Sequence, residues 1–225
     1  MFPFRIVPAG DSALVVEFPE RIDPELNAYC IAVADAITSR CGTVVRDAVV
    51  GYCSVTAYFD PLRVDASWME DQVTAAVIEL SDAELTEGPL VEVPVSYGGE
   101  HGPDLADVAR FGDCSEEEVI RLHTDGIYRV FMVGFVPGWA YMAKVDERIA
   151  VPRRSSPRTA VPAGSVAIAG GQTGVYPAVT PGGWNIIGRT PVKPFDPDRP
   201  EPFLFKAGDR VKFRRITADE FGQLV

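Results

Sequence analysis

The sequence predicts an α+β domain over residues 1–88, followed by a mainly β domain over residues 89–225. Residues 1–90 contain four of the 20 glycines and six of the 19 prolines, so the second part is much richer in turn formers. The first part alternates β-branched runs with helical apolar stripes, whereas the second shows short strands broken by Gly-Pro turns. With 225 residues and 47% apolar composition, the chain can bury a sizeable core.

Two hairpins are predicted in the first part. Apolar residues cluster in Phe4–Pro8 and Ala13–Phe18 around the turn Gly10-Asp11. The runs 44–50 and 54–59 are rich in β-branched and aromatic residues and flank a second short turn. Each pair of runs is typical of antiparallel strands.

Two helices complete the first part. Asp23 is a suitable N-cap with Pro24 at the first helical position, and the apolar stripe that follows ends near Cys41. Ser67 is predicted to cap the second helix. With the strand near residues 90–95, this order predicts a small ferredoxin-like α+β sandwich with helices on one face of an antiparallel sheet. The acidic, polar stretch 79–88 is the predicted connection to the second part.

The second part opens with a strand that runs into the glycine-rich loop 98–102. One helix is predicted after Asp104, and a capping box of Ser115 and Glu118 begins another. The strand candidates beyond them are 127–133, 165–169, Val175, 185–187 and 210–216. Many short strands separated by glycine- and proline-rich turns favour a compact, closed β-barrel over a parallel α/β sheet.

Composition argues against several classes of function. The net charge is −11 and the pI is about 4.7, so we expect neither a nucleic-acid nor an anionic-membrane partner. The start resembles no signal peptide and no stretch has the length of a membrane span, which predicts a cytoplasmic protein. The four cysteines form no CxxC pair and there are only two histidines, so no metal site is expected.

Three segments of the second part contain residues that could form a binding site. In the aromatic loop 134–141, glycines permit tight turns and rings can line an apolar pocket, although they can equally plug the core. The basic run 152–158 can bind a carboxylate or phosphate, or be a solvated loop. The glycine-rich strands 162–190 allow close backbone approach to a ligand. His123, at a predicted helix end, is either a general base or a packed histidine.

Known catalytic signatures are missing from the sequence. It contains no GxxxxGK[ST] phosphate-binding loop and no GxSxG nucleophile motif. Neither ATP binding nor a serine nucleophile is therefore predicted for this chain.

Several strings in the chain together resemble one family. VPVSYGGEHGPDL, LHTDGIYRVFMVGFVPGWAYM, VPRRSSPRTAVPAGSVAIAGGQTGVYPAVTPGGWNIIGRTP and AGDRVKF are similar to the family that contains the B subunits of 5-oxoprolinase, allophanate hydrolase subunit 1, the kinase inhibitor KipI and the carboxyltransferase C and D subdomains of urea carboxylase. The resemblance covers nearly the whole chain. Trp139 and Met142 stand where Phe and Leu are expected, which preserves hydrophobicity.

The resemblance implies an N-terminal α+β domain and a C-terminal cyclophilin-like barrel. It also implies one subunit of an ATP-dependent 5-oxoprolinase, which converts the small amide substrate 5-oxoproline to glutamate and is inactive without its partners. Those partners would be a companion carboxyltransferase protein, of the type of allophanate hydrolase subunit 2 or the oxoprolinase C subunit, and the barrel-type A subunit of oxoprolinase. No cofactor is expected on this chain alone, and the assembled complex would use ATP.

The resemblance also allows two other functions: an allophanate hydrolase or urea-carboxylase-type carboxyltransferase subunit, and a KipI-like inhibitor of a sensor histidine kinase. A third alternative, a cyclophilin-type prolyl isomerase, has support from the fold analogy, but that family's catalytic arginine and aromatic motif are not matched in this sequence.

We expect one pocket between the aromatic loop and the glycine-rich strands. The predicted catalytic residues are His123, Tyr141, Arg158 and Arg189. The predicted substrate-binding residues are Phe135, Pro137, Gly138, Arg153, Gly164, Ser165, Gln172, Thr173, Tyr176, Gly182, Gly183 and Trp184.

Overall fold

The computed structural model describes residues 2–80 and 87–224. The chain divides into two compact units, Met1–Glu87 and Gly88–Val225. Of the predicted connection 79–88, residues 81–86 lie outside the described part of the chain.

A four-stranded antiparallel sheet forms the first unit. Its strands are β1 (Arg5–Pro8), β2 (Ala13–Glu17), β3 (Val45–Val50) and β4 (Ser54–Phe59), in the order β1-β2-β4-β3. Both predicted hairpins are therefore present, because β1 pairs with β2 and β3 pairs with β4.

Two helices cover one face of this sheet. Helix α1 (Pro24–Cys41) begins where predicted, and the Asp23 carboxylate accepts hydrogen bonds from the backbone N–H groups of residues 25 and 26 at 2.8 and 3.2 Å. Helix α2 (Ala66–Glu79) is capped by Asp65, which accepts from the Trp68 N–H at 2.8 Å. The predicted cap at Ser67 is wrong, because an aspartate two residues earlier takes that position.

The chain order of the first unit is ββαββα, so the ferredoxin-like prediction, which requires βαββαβ, is wrong. The core lies between the sheet and the helices. Fully buried apolar side chains of the two layers meet there: Val16, Leu26, Ile37, Val55, Phe59, Met69 and Val73.

A closed seven-stranded barrel forms most of the second unit. Its strands, in order around the barrel, are β10 (Gln172–Val175), β7 (Ala140–Ala143), β6 (Tyr128–Val133), β13 (Arg210–Ile216), β5 (Leu90–Tyr97), β12 (Asn185–Arg189) and β9 (Ser165–Ala169). Pairing of β9 with β10 closes the barrel. The short strands β8 (Arg158–Val161) and β11 (Thr180–Gly182) form a separate two-stranded sheet. The mainly β, closed-barrel prediction is confirmed, while the likeness to cyclophilin stays a prediction.

Strand β5 belongs to the barrel and not to the first sheet, which corrects the predicted sandwich. It pairs in parallel with β13 over residues 90–96 and antiparallel with β12. Strands β7, β8 and β11 were not predicted, because each has only three or four residues and glycine or proline interrupts the neighbouring sequence.

Three helices accompany the barrel: α3 (Leu105–Phe111), α4 (Glu116–Asp125) and the unpredicted α5 (Ala218–Leu224). The Ser115 hydroxyl caps α4 by accepting from the Glu118 N–H at 3.1 Å. The Glu118 carboxylate does not complete the predicted capping box, since it pairs with Arg121 and Arg148. None of the described helices is long and apolar enough to cross a membrane.

Candidate functional site

An aromatic cleft of about 190 Å³ opens on the second unit. Nine residues line it, and we call this set the aromatic cleft: Phe135, Trp139, Tyr141, Arg153, Tyr176, Pro181, Gly182, Gly183 and Trp184. It unites seven of the predicted site residues with Trp139 and Pro181, so the aromatic loop, the basic run and the glycine-rich strands do meet in space.

The turn between β6 and β7 supplies one wall of the cleft. The Gly134 N–H donates to the Trp139 carbonyl at 3.1 Å, which closes the turn. Phe135 has a φ of 71°, a region that non-glycine residues seldom occupy, and the residue is 68% exposed. Gly138 has a φ of 84° and lies so close to Phe195 that any β-carbon would collide. The turn thus holds an aromatic ring at the mouth of the cleft.

Trp139 forms the floor, because it is only 3% exposed and contacts the nearby Tyr141 ring and rings from two other segments. Its ring centroid lies 4.8 Å from that of Tyr176, 5.0 Å from that of Trp184 and 5.8 Å from that of Tyr141, in edge-to-face arrangements. These ring–ring contacts are made within the protein, so the aromatic wall of the cleft does not need a ligand to assemble it.

The Tyr176 hydroxyl lies directly against Gly182, where a β-carbon would collide with it. Burial is the main reason that the pKa of Tyr176 is raised. The phenol therefore stays protonated near neutral pH.

Arg153 provides the charge in the cleft. Its guanidinium carbon lies 5.9 Å from the ring centroid of Trp184, a cation–π distance, and its side chain is exposed. Within the described part of the chain, no carboxylate lies within ion-pair distance of Arg153. Its guanidinium is available to an anionic ligand.

Arg158, predicted to bind an anion, has its guanidinium occupied by a buried carboxylate of the protein and does not line the aromatic cleft. Its two terminal nitrogens donate to Asp104 at 2.8 Å, and this hydrogen bonding is the main reason that its pKa is raised. Arg154 donates to the same carboxylate at 2.7 Å.

His123 is not a general base in the cleft, because it is fully buried inside the barrel. Its Nδ1 lies 2.7 Å from the Tyr97 hydroxyl and its Nε2 lies 2.9 Å from the Thr173 hydroxyl. Thr173 donates to the Ala167 carbonyl at 3.1 Å, so it accepts from Nε2–H, and Nδ1 accepts from Tyr97. Burial lowers the pKa of His123 to about 3. The packed alternative is correct.

Arg189 and Gly164 line a second cleft, of about 210 Å³, which shares no residue with the aromatic cleft. Arg189 donates from Nε to the Ala163 carbonyl at 3.0 Å, and its guanidinium carbon lies 6.0 Å from the ring centroid of Phe221 on α5. The single predicted pocket is thus divided, and Arg189 does not face the ligand that Arg153 would bind.

The remaining predicted residues lie outside the aromatic cleft lining. Ser165 and Thr173 are buried in β9 and β10, Gln172 is half-buried at the start of β10, and Pro137 is exposed on the turn. Gly138 supports that turn. The important residue that sequence reasoning missed is Asp104, which was predicted only to precede a helix.

Comparisons with known proteins find relatives that match nearly the whole chain. The chain is 40% identical to the 5-oxoprolinase B subunit of Bacillus subtilis over 97% of this chain and 95% of that protein. The crystal structure of TTHA0988 superposes with a TM-score of 0.81 at 35% identity, covering 92% of this chain and 40% of that longer chain. Urea carboxylase of Kluyveromyces lactis shares the fold, with a TM-score of 0.78 at 17% identity over 98% of this chain and 22% of that chain.

The match to a family model extends over both units. The carboxyltransferase domain, subdomain C and D, matches residues 4–205. This chain belongs to the family of the carboxyltransferase domain, subdomains C and D.

Proposed function

We propose that this chain is the B subunit of a 5-oxoprolinase, an enzyme complex that opens 5-oxoproline to glutamate with ATP. The observation that carries the proposal is the 40% identity to a protein of that name over nearly the full length of both chains. The aromatic cleft gives the proposal a physical basis.

The cleft has the size and chemistry for a small cyclic acid. A volume of about 190 Å³ suits a ligand of one ring, and the aromatic walls offer flat apolar surfaces to it. Arg153 would bind the substrate carboxylate, since a guanidinium presents two parallel donors that match a carboxylate.

The cleft supplies mainly binding groups. Its nine lining residues include no Asp, Glu, His, Lys, Cys or Ser, and tyrosine, present twice, is its one residue type that commonly serves in general acid–base catalysis. We therefore assign nucleophilic and ATP-dependent steps to two partner proteins of the complex, one of the companion carboxyltransferase type and one of the barrel type. On this proposal the isolated chain is inactive.

The test is co-expression of this chain with the two companion proteins, followed by an assay of ATP-dependent glutamate release from 5-oxoproline. Release should require this chain. Arg153→Ala should raise the KM for 5-oxoproline about tenfold or more, because a charge-assisted hydrogen bond to the substrate is lost. The KM for ATP should not change.

Arg214→Ala is the matched control, since Arg214 is an exposed arginine of β13 that lines neither cleft. Release that persists without this chain would refute the proposal. A stable complex that releases ammonia from allophanate or urea instead would favour the other carboxyltransferase assignments, and failure to form any complex would favour the kinase-inhibitor function.

A further inference from the structure

Three arginines occur within six residues of the basic run, and the structure separates them into two roles. Arg154 and Arg158 are partly buried, with side-chain exposures of 31% and 26%, and both bind Asp104. Arg153 is exposed and lines the aromatic cleft. One carboxylate therefore takes two of the three cations and leaves the third for a ligand.

The Asp104 carboxylate is fully used by these contacts. Its side chain is 3% exposed, and it accepts three hydrogen bonds from the two guanidinium groups at 2.7 to 2.8 Å. A fourth comes from the Ile186 N–H at 2.7 Å. Asp104 also donates its own N–H to the Ile186 carbonyl at 2.9 Å, so its backbone and side chain are both tied to β12.

Asp104 binds to the segment next to Trp184 and also to the segment next to Arg153. Trp184 precedes β12 by one residue, and β12 contains Ile186, to which Asp104 is bound. On the other side, Asp104 holds the Arg154 side chain, while the Arg154 N–H donates to the Gly183 carbonyl at 2.8 Å. Arg153, the preceding residue, therefore belongs to a backbone segment that is hydrogen-bonded beside Trp184.

We propose that Asp104 is a positioning residue, which binds Arg154 and Arg158 so that Arg153 alone faces the aromatic cleft as the carboxylate-binding group. This inference rests on the proposed function of the cleft. It assigns a role to a residue in the loop before α3 that contacts no ligand itself.

The first experiment tests positioning without any assay of activity. Trypsin cleaves after arginine only where the chain can become extended and exposed, so the ion pairs should protect the basic run. In the full chain, Asp104→Asn should increase the rate of cleavage after Arg154 and Arg158 about tenfold or more, measured by mass spectrometry. Asp107→Asn is the control, because Asp107 forms an exposed pair with Arg110 on the adjacent helix. Unchanged cleavage in Asp104→Asn would overturn the inference.

The second experiment is a double-mutant cycle in the assembled complex. Asp104→Asn should raise the KM for 5-oxoproline about tenfold while kcat and the KM for ATP change less than about twofold, because only binding of the substrate carboxylate is affected. Since Asp104 acts through Arg153, Asp104→Asn combined with Arg153→Ala should have the KM of Arg153→Ala alone. If the double variant instead multiplies the KM increases of the two single variants, Asp104 has a general structural role and the inference is overturned.

Two further results separate the inference from the proposed function. If Arg153→Ala leaves the KM for 5-oxoproline unchanged while Asp104→Asn exposes the basic run to trypsin, the proposed function of the cleft fails, although the tethering by Asp104 stands. If Asp104→Asn folds poorly, Arg158→Lys can replace it. This variant keeps the positive charge but loses the bidentate contact with Asp104, so it should produce smaller increases in trypsin cleavage and in the KM for 5-oxoproline.

Discussion

The barrel interior around His123 and the aromatic cleft around Arg153 both combine aromatic rings with one ionisable group, but they treat that group in opposite ways. His123 stacks on Phe213 at 4.5 Å and has hydrogen-bond partners on both ring nitrogens. Arg153 lies over Trp184 with no carboxylate partner in the described residues. Residue type alone therefore does not identify a binding group. A group whose partners are all protein atoms is structural, and a charged group that faces a cleft without an opposite charge is a candidate to bind a ligand.

The largest expected effect comes from breaking the interior network. His123→Ala should lower the free energy of unfolding by about 3–5 kcal/mol, because it leaves a cavity and removes the partners of two buried hydroxyl groups. Chemical denaturation monitored by circular dichroism measures the change. A loss below about 1 kcal/mol would mean that the barrel does not depend on this network.

The next effect is a dependence of stability on pH. The pKa of His123 is about 3 in the folded chain, against 6.5 for an ordinary histidine, so the unfolded chain binds the extra proton in this range. The stability that the neutral, buried His123 contributes is fully present above pH 6.5 and is lost progressively as the pH falls towards 3. Between about pH 6.5 and pH 5 the free energy of unfolding should fall by about 2 kcal/mol.

Denaturation of the original chain and of the His123→Gln variant at several pH values isolates the part of the pH dependence that His123 causes. Glu118, Glu201 and Glu220 have pKa values lowered below 4.5, mainly by hydrogen bonds, so their stabilisation is lost only at lower pH. The same slope in both proteins above about pH 5 would contradict the assignment of the pH effect to His123.

The smallest expected effect on stability belongs to the cleft. Arg153→Ala should change the free energy of unfolding by no more than about 0.5–1 kcal/mol, because only an exposed cation–π contact is lost. The same denaturation measurements check it. A loss comparable with that of His123→Ala would mean that Arg153 is structural, and the contrast between the two regions would disappear.

Local sequence determined many of the elements. Asp23 followed by Pro24 specified the start of α1, and Ser115 specified that of α4, because a capping side chain bonds N–H groups only two or three residues away. The hairpins of the first unit followed from runs of strand-forming residues joined by short turns. The abundance of glycine and proline after residue 90 indicated short strands, and the closed barrel agrees.

Tertiary structure decided what depends on residues distant in sequence. Arg153, Arg154 and Arg158 look equivalent in the sequence, and only the approach of Asp104, about 50 positions earlier, distinguishes them. His123 became a core residue because Thr173 and Tyr97 reach it from other strands. Caps and turns are short-range interactions that neighbouring residues specify, whereas burial and ion pairing depend on which segments the fold brings together.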